Sequence, residues 1–164
     1  SHFVTSGTLS SFVFNPDGNY NGTNPPVDGN SLVAGTVVTG STNNNQVTLG
    51  VSFTQISGNS VHIRTLAIGV VTHGNALVVG QSYPLVVTQG GDGSAVSLSE
   101  TTGTNIDKAW TIASSTTGSA TVTSLTSNSV GLDFTFTNVG PNTAAATSTA
   151  TGTFSTSGHI TGNF

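Results

Sequence analysis

VTLGVSFT, residues 47–54, decides the fold class. Its apolar residues Val47, Leu49, Val51 and Phe53 alternate with Thr48, Gly50, Ser52 and Thr54. Period two is the signature of a strand with one face on a core and the other in water. Leu132-Asp133-Phe134-Thr135-Phe136-Thr137 repeats the pattern far along the chain. Both stretches fit antiparallel sheet packed on one core.

The flanking sequence extends the pattern. Residues 3–14 read as one or two strands, with Phe12 and Phe14 on one face and Val13 on the other. Residues 15–30, NPDGNYNGTNPPVDGN, are dense in turn-forming types. Pro25 and Pro26 exclude helix and interior strand there. Residues 31–39 form the next predicted strand, and 40–45 (GSTNNN) a polar loop. Gly58-Asn59 is a turn signal. Val61-His62-Ile63-Arg64 then alternates, which predicts His62 and Arg64 on the wetter face. Leu66 to Val71 is out of phase with Val61 and Ile63, and a bulge near Thr65 would account for the slip. His73-Gly74-Asn75 turns the chain. Residues 77–79 and 85–87 read as short buried strands, and 100–108 as polar and irregular. Trp110 opens a strand. Residues 120–122 and 130–137 form a hairpin about Ser127-Asn128, followed by turns at Gly140-Pro141 and Ser157-Gly158 and a last strand over 160–164.

This pattern predicts roughly ten short strands at the ~8–12-residue spacing of an all-β sandwich or barrel. No stretch shows a 3.6-residue period and no repeat recurs at fixed spacing. The expected fold is a single β domain over residues 1–164, an antiparallel β-sandwich, with a closed β-barrel as the alternative.

Composition narrows the function classes. Only 5% of the 164 residues are charged, against a typical ~25%. The polar surface is therefore built from Ser, Thr, Asn and Gly, as in hydroxyl-rich extracellular proteins. No apolar run approaches the ~20 residues that span a bilayer. The net charge is −4 and the two bases are Arg64 and Lys108, which excludes a basic footprint for nucleic acid or anionic lipid. The absence of Cys removes disulfides, thiolate metal sites and cysteine nucleophiles. The absence of Met is what removal of an export signal would leave, or a cloned fragment with Ser1-His2 as a vector scar.

GQSYPL (80–85), AW (109–110), GSATVTSL (118–125), DFTF (133–136) and GTFSTSGHITGNF (152–164) resemble uncharacterised exported β-rich domains of bacterial cell-surface proteins. The resemblance covers roughly the C-terminal half. It implies an all-β fold and an extracellular or cell-surface location, and it brings no catalytic residues.

The sharpest motif is Asp17-Gly18-Asn19-Tyr20-Asn21-Gly22 with Asp28 beyond it. It matches D-x-[DN]-x-[DN]-G-x₅-E with Asp in the final place. Calcium takes many oxygen ligands. Side-chain oxygens of Asp17, Asn19 and Asn21, the Thr23 carbonyl and Asp28 would supply them. The competing reading is an ordinary Asn/Gly turn. Asn21-Gly22-Thr23 is also a glycosylation sequon.

Other constellations are sparse. His62 and His73 read as two surface or half-buried histidines; the alternative, an approach across paired strands, lacks a third metal ligand. There is no G-x-S-x-G elbow. Triads of Ser with His62 or His73 and Asp92 or Asp133 are unconstrained. Glu100, Asp92, Asp107 and Asp133 are the carboxylates from which a glycosidase pair would have to come. Tyr20, Tyr83 and Trp110 are candidate stacking residues for a glycan, with Tyr83 and Trp110 alternatively core.

The expected function is therefore that of a non-catalytic extracellular or cell-surface structural protein. It would self-associate into a filament or matrix by adding an end segment such as 3–14 or 160–164 to a neighbour's sheet. The alternative is a carbohydrate- or small-ligand-binding surface module using Tyr20 or Tyr83.

Overall fold

The computed structural model describes residues 2–17, 37–57, 60–86, 90–102, 105–142 and 148–164. Among them the period-two stretches are strands and there is no helix. In chain order the strands are β1 (His2–Val4), β2 (Ser6–Asp17), β3 (Val37–Asn43), β4 (Gln46–Ser57), β5 (Ser60–Val71), β6 (Ser82–Pro84), β7 (Gly93–Thr102), β8 (Asn105–Thr111), β9 (Thr117–Leu125), β10 (Ser129–Pro141) and β11 (Thr153–Asn163). They hydrogen-bond in the order β1-β3-β4-β5-β7-β8-β10-β11-β2, with β9 on β10 and β6 on β9. Every one of these ladders is antiparallel. The path does not return to β1, so the barrel alternative is not formed. The expected sandwich is: β1, β3, β4, β5, β7 and β8 make one layer, and β2, β11, β10, β9 and β6 the other.

Two strand segments pass from layer to layer. β10 pairs β9 and β11 along its first part, then turns at Asn138 (φ 58) and gives Gly140 and Pro141 to β8. Asn is among the few non-glycine residues that take this left-handed conformation readily. The corner is pinned by Thr116, whose hydroxyl accepts from Ala113 N–H (2.8 Å) and donates to the Asn138 carbonyl (2.6 Å). At the other side β1 and β2 are one run of chain broken at Thr5, whose N–H donates to Asn163 O at 3.2 Å.

The core lies between the layers. Val47, Leu49 and Val51 of β4 and Leu132, Phe134 and Phe136 of β10 belong to one continuous buried cluster. Its aromatic centre is Phe154, stacked on Phe14 at 4.9 Å and edge-on to Trp110 at 6.3 Å. These rings come from three strands and both layers. The layers approach closely at Gly162: a Cβ there would stand 2.8 Å from Leu49 Cδ2 and 2.7 Å from Val4 Cγ1, so the bare backbone is what fits.

Several local expectations are corrected. β4 and β5 pair from Gln46↔Val71 to Ser57↔Ser60 without a shift, so there is no bulge near Thr65. Instead Arg64 continues the inward phase of Leu66, Ile68 and Val70, and Ile63 is exposed. A charged residue can take the core position because Glu100 faces it from β7. Residues 77–79 are not a strand, and Val78 and Val79 lie on the surface. Residues 100–102 and 105–108 belong to β7 and β8. Gly140-Pro141 and Ser157-Gly158 lie inside strands. Gly58 and Asn59 are outside the described residues.

Candidate functional site

An open groove of about 530 Å³ lies beside β6. Three separate stretches build it. The chain leaves β5 at Thr72 and turns through His73, Gly74 and Asn75, with Gly74 at φ 107. Thr72 holds that turn: its hydroxyl donates to the carbonyls of Asn45 (3.3 Å) and Asn75. The second stretch is Gln81-Ser82-Tyr83-Pro84, paired to β9 through Ser82↔Thr121 and Pro84↔Ser119. The third is Asp92-Gly93, entering β7. Ser94 Oγ, fully buried, donates to the Tyr83 carbonyl at 2.8 Å and ties the second stretch to the third.

His73 and Asp92 close one rim. Asp92 Oδ1 accepts from the His73 backbone N–H at 2.7 Å and lies 2.9 Å from His73 Nδ1. An ionised carboxylate only accepts, so Nδ1 carries the proton in that contact. The side-chain hydrogen bond from His73, followed by its backbone N–H, holds the Asp92 carboxyl below the usual carboxylate range, against a smaller opposing effect of desolvation. Asp92 Oδ2 has no protein hydrogen-bond partner among the described residues.

The rest of the lining is uncharged. Asn75, Gln81 and Ser82 are exposed and polar; Ala76, Val78 and Pro84 supply aliphatic surface. Tyr83 forms part of the wall from inside. It is 4% exposed and its hydroxyl accepts from Val78 N–H at 2.9 Å. It thus follows the core reading and offers no open ring face, which corrects its candidacy as a stacking platform. Trp110 is likewise buried.

The other candidates are scattered. Asn19, Tyr20, Asn21, Thr23 and Asp28 lie outside the described residues. The backbone of Asp17 ends β2, opposite Thr153, and its side chain is outside the description. Among the described residues no three His, Asp or Glu side chains gather as a metal site. His62 lies near the start of β5 and His73 just beyond its end, so the alternative of an approach across paired strands is not formed; His73 is exposed, and the side chain of His62 is outside the description. A second His–Asp pair, His159 Nδ1 to Asp133 Oδ1 at 2.6 Å, bridges β10 and β11 on the outer face of the second layer. No Ser or Thr hydroxyl bonds the imidazole of His73 or His159 among the described residues. Glu100 is engaged by Arg64, so it is not available as half of a carboxylate pair over a cleft.

Asn75, Gln81 and Ser82 were missed by sequence reasoning. The only signal was the density of turn residues at 73–75 and 89–94; nothing in the sequence says that these turns meet. No helix among the described residues is long and apolar enough to cross a membrane. No protein-family model matches this chain, and no curated protein or solved structure matches it.

Proposed function

We propose that the chain is a non-catalytic structural module of an extracellular or cell-surface protein that associates with further copies of itself through the edge formed by β1 and β2. One observation carries this. β1 and β2 stand at the two ends of the strand order, β1 beside β3 and the 12-residue β2 beside β11. Proteins normally guard such an edge with charge, yet Asp17, at the end of β2, is the only Asp, Glu, Lys or Arg in residues 2–17. Phe3 is 77% exposed on the same run and Val13 is exposed too. The expected mode of association is strand addition.

Sedimentation velocity over a range of concentrations tests it. The expected result is reversible larger species that Phe3→Lys and Val13→Lys convert to monomer. A wild-type monomer at every concentration overturns the reading. Runs in millimolar calcium and in EDTA test, in the same experiment, the further proposal that Asp17, Asn19, Asn21, Thr23 and Asp28 hold calcium.

The groove favours a second reading, a surface module that binds a small ligand. Its volume falls in the ~300–1,000 Å³ range of ligand pockets, and a few polar groups converge on aliphatic walls.

A further inference from the structure

We infer that the groove beside β6 takes a neutral saccharide segment, with Asp92, Asn75 and Gln81 as its hydrogen-bonding residues. This rests on the ligand-binding reading and adds the chemical class.

Charge makes the first selection. Among the described residues, Asp92 is the only charged one lining the groove. Neither base of the chain faces it: Arg64 is sealed in the core against Glu100, and Lys108 belongs to β8. A phosphate, sulfate or carboxylate there would meet a negative charge with neither Arg nor Lys to balance it.

Hydrogen-bond capacity makes the second. Asn75 and Gln81 each present a carbonyl acceptor and an amide donor. Asp92 presents acceptors, and Ser82 a hydroxyl that does both. A sugar hydroxyl also donates and accepts, so vicinal hydroxyls can satisfy an amide and a carboxylate together. An ammonium ligand could use only the acceptors and would leave the amide donors unmatched.

Preorganisation makes the third. His73 fixes Asp92 Oδ1 with two contacts, at 2.7 and 2.9 Å. The carboxylate is thus oriented before any ligand arrives, and little side-chain entropy remains to be lost on binding. Val78 and Pro84 offer aliphatic surface to the C–H faces of a sugar ring, in place of the aromatic platform that Tyr83 does not provide.

The test is a ¹⁵N-labelled NMR titration of the whole chain. The probes are neutral oligosaccharides (maltotriose, cellotriose, xylotriose, mannotriose), one acidic oligosaccharide (trigalacturonate) and one polyamine (spermidine). The expected result is a saturable shift of the Gln81 and Asn75 side-chain amides with at least one neutral sugar. Gln81→Ala and Asp92→Asn then weaken binding by about ten-fold or more, which is ~1.4 kcal/mol, while the rest of the spectrum keeps its folded dispersion. Saturable shifts at the groove with trigalacturonate or spermidine alone overturn the neutral-saccharide class and leave the ligand-binding reading standing. No shift at the groove with any probe overturns both. Shifts confined to another surface overturn the assignment of this groove.

Discussion

Arg64 and Glu100 stand opposite one another in the β5–β7 ladder and meet inside the core, Nη2 to Oε1 at 3.5 Å, each side chain 2% exposed. Burying either alone would strand a charge away from water, so each makes the other tolerable. Glu100→Leu or Arg64→Met alone is expected to destabilise the fold by about 3–5 kcal/mol, and the two together by much less. Urea unfolding of the wild type, both single variants and the double variant measures the coupling. Additive losses would show that the pair is not the reason Arg64 faces inward.

The His73–Asp92 contact gives the groove rim a defined acid response. The Asp92 carboxyl titrates below its ordinary value when folded. Its contribution is therefore fully present above the unfolded pKa of about 3.9, and is lost as pH falls through the lower folded value. Carbon-detected NMR titration of Asp92 is expected to show a midpoint below about 3.9. His73→Ala moves that midpoint part of the way back, because the backbone N–H of residue 73 still donates. A midpoint that His73→Ala leaves unchanged would remove His73 as the cause.

Thr116, in the connection between β8 and β9, pins the corner of β10 at Asn138. Thr116→Val keeps the shape and deletes the hydroxyl that serves Ala113 N–H and the Asn138 carbonyl. The expected loss is about 1–3 kcal/mol by thermal or denaturant unfolding. Substitution of Thr126, whose hydroxyl bonds lie in an exposed turn, is the control and is expected to cost less.

Phe154 is the hub of the aromatic centre. Phe154→Ala removes a stacked partner of Phe14 and an edge contact of Trp110. The expected cost is about 3–5 kcal/mol. Trp110 is the only tryptophan, so its emission reports the change directly: a red shift in the folded variant indicates that water has entered beside it.

The alternation of Val47, Leu49 and Val51, and of Leu132, Phe134 and Phe136, was legible because strand geometry imposes it on any half-buried sheet. Arg64 was not. Alone it reads as a wet-face residue, and the Glu100 that lets it turn inward lies far along the chain. Val78 and Val79 misled in the opposite sense, since apolar character does not by itself place a residue inside. Residues 100–108 looked irregular because the β7–β8 ladder shifts register between Glu100 and Thr101 and breaks the alternation. The groove was invisible for a further reason. Asn75, Gln81 and Asp92 become neighbours only once β6 has docked on β9 and Ser94 has bonded Tyr83.

The two layer crossings, at Thr5 and at Asn138, bear on how the molecule comes apart. A sandwich whose sheets share no strand can lose one sheet while the other persists. Here β10 is bonded into both, and β1 and β2 carry a single run of chain from one to the other. Peeling either layer away pulls on the ladder of its partner. Amides of β4 and β11, which belong to different layers, are therefore expected to exchange with solvent through one shared opening, with a single free energy and a single dependence on denaturant.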